Sequence, residues 1–130
     1  MLNIVQRCAD RIRGRGLKVV FPEAEDARIV AAAERLRAEC LAEPIVLSNV
    51  EASERLERYA ALYREARPDA NPRIAHRVAA KPLFHAGLML RAGDADAMLA
   101  GAANPTARVI EAGMLTVGLA PGIATPSSFF

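Results

Sequence analysis

Tryptophan is absent from this 130-residue chain and aromatic side chains make up only 5% of it, which removes the stacking platforms that hold single-stranded nucleic acid. Nor is there a field of one charge. The 17 basic and 15 acidic residues leave a net +2, interspersed along the chain, so nucleic acid is not an expected partner. No apolar run is long enough for a membrane-spanning helix. The opening MLNIVQRCADRIRGRG has no continuous apolar stretch, so it does not read as a secretory signal, and Asp10 with the scarcity of serine argues against a transit peptide. Cytoplasm is the expected location. Cysteine is limited to Cys8 and Cys40, with no CxxC and no histidine at ligand spacing. Both fall on the apolar side of helical patterns and are expected as buried free thiols. GxGxxG after a strand and GxxxxGK[ST] are also missing, so the nucleotide-binding fingerprints fail.

What is present is ordinary for a globular domain: 52% hydrophobic and 25% charged residues. The length suits a single α/β domain over 1–130. Residues 2–12 form an amphipathic helix, with Leu2, Val5, Cys8, Ala9 and Ile12 on one face, ended by Gly14 and Gly16. LKVVFPE, 17–23, reads as a buried strand stopped at Pro22. A second helix starts at Glu25 and Asp26, whose charges suit its positive end, and carries the stripe Ile29, Ala33, Leu36 and Cys40. EPIVLSN, 43–49, is a second strand. Strand, helix and strand in so short a span form a βαβ unit, which predicts a parallel sheet with a right-handed crossover. Helical patterns follow at 51–67, 73–80 and 82–91, a third strand at 96–100, and a long helix at 104–119 with Val109, Ile110, Gly113, Met114 and Val117 on its apolar side. The expected class is α/β, a three-layer αβα arrangement around a mostly parallel sheet. PGIATPSSFF ends on Phe129 and Phe130 with no polar exit. Truncation of a longer chain is one reading; two rings folding back on the core is the other.

The segment GDADAMLAGAANPTARVIEAG, 93–113, is the clearest candidate for a site. In open parallel sheets ligands bind beyond the carboxyl ends of strands, where helix amino termini face the crevice. Gly101 permits a tight turn, Ala102 and Ala103 leave room, Asn104 is a good N-cap and Pro105 a good first helical residue. The free amides of that first turn suit phosphate or carboxylate, and Thr106 adds a hydroxyl. Every N-capped helix shares this polarity, so a well-made helix start is the competing reading.

The stretches KVVFPEAEDARIVAAAERL, EPIVLSN, PLFHAGLMLRAGDADAMLAGAANPTARVIEAG and APGIATPSSFF together resemble the amino-terminal part of the phosphate acetyltransferase and butyryltransferase family. The FPE-x-ED-x-R element is matched by Phe21, Pro22, Glu23, Glu25, Asp26 and Arg28, and the G-x-AD-x-x-x-x-GA turn by Gly93, Ala95, Asp96, Gly101 and Ala102. APG…SSFF is matched at 120–122 and 127–130, including Ser127 and Ser128. The resemblance implies the first part of a two-domain enzyme with an isocitrate/isopropylmalate dehydrogenase-like arrangement. Such an enzyme moves an acetyl or short acyl group between coenzyme A and phosphate in a cleft, usually as a homodimer, without metal or other cofactor.

The resemblance assigns no catalytic residue to this chain, because the family's aspartate, serine and arginine belong to its carboxy-terminal portion, and it implies that this portion alone does not turn over. Binding of phosphate, acyl phosphate or coenzyme A falls to Gly101, Asn104, Thr106, Ser127, Ser128 and Arg67, with Arg64 as the alternative to Arg67. The family's T-A-D-x-x-R-P is matched at Thr106 and Ala107 but departs at Arg108, Glu111 and Ala112, which stand for the acid, the arginine and the proline. Glutamate at 111 would repel phosphate, and Arg108 would have to supply the cation instead. His85 stands where the family has an apolar or small residue, and a lone histidine there reads as a structural residue; His76 reads as solvent-facing. A non-catalytic ligand-binding, regulatory or dimerisation domain of the same fold is the alternative function.

Overall fold

The computed structural model describes residues 3–127, so Ser128 and the Phe129–Phe130 ending lie outside the described residues. Helix α1 covers Ile4–Ile12, with Asn3 capping it by accepting from the Gln6 amide. Strand β1, Lys18–Phe21, leads to α2, Ala27–Ala38, and then to β2, Glu43–Val46. A 3₁₀ turn at Val50–Ala52 precedes α3, Leu56–Ala66. Two helices opened by proline follow, α4 at Pro72–Ala79 and α5 at Pro82–Ala92, where a missing amide hydrogen costs nothing. Strand β3, Ala97–Met98, and α6, Thr106–Thr116, complete the order.

The sheet is parallel with order β2-β1-β3; Val20 lies opposite Ile45 on one side and Met98 on the other. From β1 the chain steps one way to β2, then back across to β3. Right-handed crossovers in opposite directions place their helices on opposite faces, α2 on one and α3 to α5 on the other. The main core lies on the second face, where Val20, Tyr59 and Leu88 are fully buried beside Ala75, Ala79 and Met89. Side chains of this size each contribute about 2 kcal/mol by leaving water. Among the described residues no helix is long and apolar enough to cross a membrane.

Several sequence expectations are corrected. Cys8 and Cys40 are free but exposed: α1 buries none of its residues, and Cys40 lies beyond the end of α2 in the left-handed region at φ 56°. The helix expected over 51–67 begins only at Leu56, because Asn49 turns left-handed and Ser53 is extended. The third strand pairs over two residues, although its ladder bonds run from Asp96 N–H to the Lys18 carbonyl and from Leu99 N–H to the Val20 carbonyl.

The largest correction concerns α6. It is shorter than the expected 104–119 and turned, burying Ala112 and Thr116 while Ile110, Met114 and Val117 stay 41 to 50% exposed. Close approach to α5 sets that rotation. A Cβ added at Gly87 would sit 2.0 Å from Thr116 Oγ1, and the Thr116 hydroxyl is turned back to the Ala112 carbonyl at 2.7 Å. Small residues on both helices let their backbones come together, and the bulkier apolar stripe faces out. Gly87→Ala is therefore expected to destabilise the fold by about 1–3 kcal/mol through overpacking, read as a lowered denaturation midpoint, with Thr116→Ala in the same chain, which removes the Oγ1 that the new Cβ meets first, restoring part of the loss.

Candidate functional site

The carboxyl ends of β1 and β3 open on the same side of the sheet, and the chain closes the gap between them with one carboxylate. Pro22 stops β1 and Glu23 follows at once, its side chain only 4% exposed. At β3 the chain turns at Gly101, whose φ of 118° lies where side chains other than glycine are strained. The four amides from Gly101 to Asn104 converge into a concave nest. Glu23 Oε1 accepts from the amides of Gly101 (2.8 Å) and Ala102 (3.0 Å), and Oε2 from those of Ala103 (2.6 Å) and Asn104 (2.7 Å). Asn104 Nδ2 donates a fifth bond to Oε2 at 2.9 Å.

This corrects the role expected for the turn. The amides of Gly101 and Asn104 hold an internal anion, and Asn104 spends its side chain on Glu23 instead of capping α6. The N-cap is Pro105, without a side-chain cap bond. Burial alone would push the Glu23 carboxyl up. The bonds from Ala103, the Asn104 side chain, Gly101 and Ala102 outweigh it and hold the group below its ordinary value. The link was missed in the sequence because it joins residues 78 to 81 positions apart; the signal available was an acid placed directly after a strand-ending proline.

A second acid braces the same corner. Asp26 caps α2 by accepting from the Arg28 amide at 2.9 Å, and its carboxylate also takes the Arg28 guanidinium at 2.7 and 3.0 Å. Those bonds hold its carboxyl at about 2. Arg28 Nη2 reaches on to the Ala102 carbonyl at 2.8 Å, so the nest is held from its acceptor side as well.

Beside the latch lies a recess of about 380 Å³, bordered by Lys81 and Phe84 at the start of α5, Asn104 and Arg108 at the start of α6, and Glu23 and Glu25. Two helix amino termini converge on it. The first intrahelical bonds of α6 run from the Arg108 and Val109 amides to the Pro105 carbonyl, so the Thr106 amide lies ahead of them. Arg108 lines the recess and Glu111, one turn on, does not; the repulsion expected from glutamate at 111 is directed elsewhere. A wider groove of about 790 Å³ lies between α3 and α4, where exposed His76 Nε2 stands 3.1 Å from Glu57.

The other sequence candidates are not brought to this corner. Arg67 donates to the Leu115 carbonyl at 2.7 Å and stacks on Tyr63 at 4.9 Å. That is the far end of α6, roughly 15 Å from Thr106 at 1.5 Å per residue. Arg64 donates to the Ala70 carbonyl at 3.3 Å. Ser127 is exposed, and Ser128 lies outside the described residues. His85 is buried and bonded to the Ala79 carbonyl. Among the described residues no group of three or more His, Cys, Asp or Glu is placed to hold a metal.

Glu23→Gln removes the charge and turns an N–H₂ toward the amides. It is expected to cost about 3 kcal/mol of stability near neutral pH. Because the folded-state carboxyl is held below its unfolded value, that stabilisation is present above the ordinary carboxylate range and is lost as pH falls through the folded value. The gap between wild type and variant in urea melts therefore closes on acidification. A gap that stays constant with pH would show that the carboxylate's charge is not what holds the loop.

A model of the family described as "Phosphate acetyl/butaryl transferase" matches residues 3–130. The phosphate acetyltransferase of Acetivibrio thermocellus is 26% identical over 151 aligned positions, covering 99% of this chain and 46% of that protein. The Treponema pallidum phosphate acetyltransferase is 53% identical over 49 residues, 38% of this chain and 15% of its own length. A phosphotransacetylase from Streptococcus pyogenes shares the fold with a TM-score of 0.88 at 23% identity, over 95% of this chain and 46% of that one. The chain thus spans about half the length of these full-span relatives. The residues matched by the family model take in the Glu23 latch, the recess and α6, and the chain belongs to the phosphate acetyl/butaryl transferase family.

Proposed function

We propose that this chain forms one wall of an acyl-transfer cleft in which a short acyl group passes between coenzyme A and phosphate. The observation that carries the reading is the recess at the strand ends, where Lys81, Arg108 and the first turns of α5 and α6 present positive charge beside apolar Phe84 and Leu83, against one acid, Glu25, since the Glu23 carboxylate there is taken up by the nest. An acyl phosphate has the matching chemistry, a small apolar acyl end and an anionic phosphate. In the transfer, the coenzyme A sulfur attacks the acyl carbonyl carbon, the bond from that carbon to the bridging oxygen breaks, and phosphate leaves with the electron pair. The thiol proton passes to a base. Lys81 and Arg108 are suited to the charge that grows on the departing phosphate, with the Thr106 hydroxyl and amide at the adjoining start of α6, just beyond the recess lining.

The aspartate, serine and arginine that the family resemblance assigns to proton transfer and to the tetrahedral intermediate belong to the portion of the relatives that this chain does not span. On this reading the chain is a binding wall that does not turn over alone, within a two-domain, isocitrate dehydrogenase-like whole located in the cytoplasm. Ser127 and Ser128 remain candidates for the coenzyme A side, and Arg67 acts by fixing the far end of α6.

One observation favours the alternative of a dimerisation or regulatory module: Ile110, Met114 and Val117 form an exposed apolar stripe along α6. A sedimentation series separates the readings. A dimer abolished by Met114→Glu supports an interface on α6, and a monomer at all concentrations argues against it.

Binding itself is tested by thermal shift. Acetyl phosphate is expected to raise the unfolding midpoint, since a ligand that binds only the folded state must do so. Lys81→Ala and Arg108→Ala should each weaken the effect by about tenfold in apparent Kd, and Thr106→Val less, with the unliganded midpoint unchanged. Equal shifts in all four proteins would remove the phosphate from this recess.

A further inference from the structure

A second recess lies on the α3–α5 side of the sheet, around a histidine that the acyl-transfer reading does not use. His85 is 3% exposed, and its Nδ1 lies 3.0 Å from the Ala79 carbonyl oxygen. A carbonyl can only accept, so Nδ1 carries the hydrogen and Nε2 presents a lone pair. Tyr59 packs edge-on against the ring at 4.8 Å between centroids, but its hydroxyl is donated to Asp94 Oδ2. No hydrogen bond among the described residues reaches Nε2. Yet no fully buried side-chain nitrogen or oxygen is left without a partner, so Nε2 is the ring atom that meets open space.

That space has a volume of about 290 Å³, at the lower end of the range for small-molecule sites. Ile45, Leu47 and Met89 give it an apolar lining, and Arg55 stands at its edge. Arg55 is half-exposed, with one guanidinium nitrogen 3.7 Å from Asp94. Five donors in a planar fork leave it N–H groups for a further acceptor.

We propose that this recess binds a short-chain hydroxy monocarboxylate, its hydroxyl donating to His85 Nε2, its carboxylate lying against Arg55, and its alkyl segment covering Ile45, Leu47 and Met89. Three constraints select that class. The group at Nε2 must be a donor, because the ring atom can only accept. It must be uncharged, because a cation there would face Arg55. The anionic group must carry a single charge, because Glu54 also lines the rim and opposes a dianion such as phosphate. Burial, the largest influence on the imidazole, and the nearby Arg55 both disfavour its protonation against the pull of the Ala79 carbonyl, which keeps the acceptor bare.

The test is an NMR titration of the whole chain with 3-hydroxybutyrate, read at the His85 ring protons and the Met89 methyl, against butyrate as the analogue without a donor. Saturable shifts at millimolar 3-hydroxybutyrate, with butyrate about tenfold weaker, are the expected result, since one donor satisfies an otherwise unpaired acceptor. His85→Phe should erase the preference between the two acids. Arg55→Ala, at a half-exposed position, should weaken both alike. Lys81→Ala should change nothing, which separates this site from the proposed phosphate recess. Absence of saturation, or a preference for the hydroxy acid that survives in His85→Phe, would overturn the proposal.

Discussion

Everything at the open end of this sheet depends on where the Glu23 carboxylate sits. Five N–H groups from a single turn meet it, and a carboxylate that loses water stays charged only where such bonds replace it. The interaction works in both directions. Glu23 neutralises a nest of converging amides, and the nest gives the buried anion a reason to remain ionised beside Phe21 and Pro22. Because the two partners come from β1 and from the chain after β3, the bond set also fixes how far apart the two strand ends lie. The directions of α2 and α6 follow from it.

The second constraint is contact between backbones at the other end of α6. Gly87, Ala112 and Thr116 allow α5 and α6 to approach so closely that no Cβ fits at 87. With the turn held by Glu23 at one end and the helix held by Thr116 and the Arg67 bond to the Leu115 carbonyl at the other, α6 has little freedom to roll. Its outward stripe is therefore a consequence of packing elsewhere, and this is why hydrophobicity alone misplaced it. Ile110, Met114 and Val117 are the more apolar set, but Ala112 and Thr116 are the set that fits.

The sequence carried the order of elements, the parallel sheet and the family, because these rest on local signals: period, proline at the first helical turn, and motifs a few residues long. Asp26 marks the start of α2 as expected, but it lies one residue before the first turn, which holds no acid, and acts as the cap. What was not legible required knowing which side chain would be a neighbour across the chain. The nest was recognised as a place for an anion, and Gly101 as the residue that shapes it, but the anion is Glu23. Cys8 and Cys40 were read as buried because helical patterns were assumed to have something to pack on. In α1 nothing among the described residues covers the face that holds Ile4 and Val5.

A turn whose amides are already taken cannot also be the main holder of a substrate phosphate, since both anions would compete for the same donors. An external anion at this corner must be met by groups that Glu23 leaves over, and those lie one step outward: the Thr106 amide and hydroxyl, the Lys81 ammonium and the Arg108 guanidinium. Glu23 then favours such a site indirectly. It sets the start of α6, and Arg108 stands in its first turn, along the recess wall. Had the cation been carried at 111 and the acid at 108, the same backbone would turn the acid toward the recess and the cation away from it. The exchange of charge between these two positions is thus consistent with a latch that holds the helix in this one orientation, with Arg108 and not Glu111 on the recess wall.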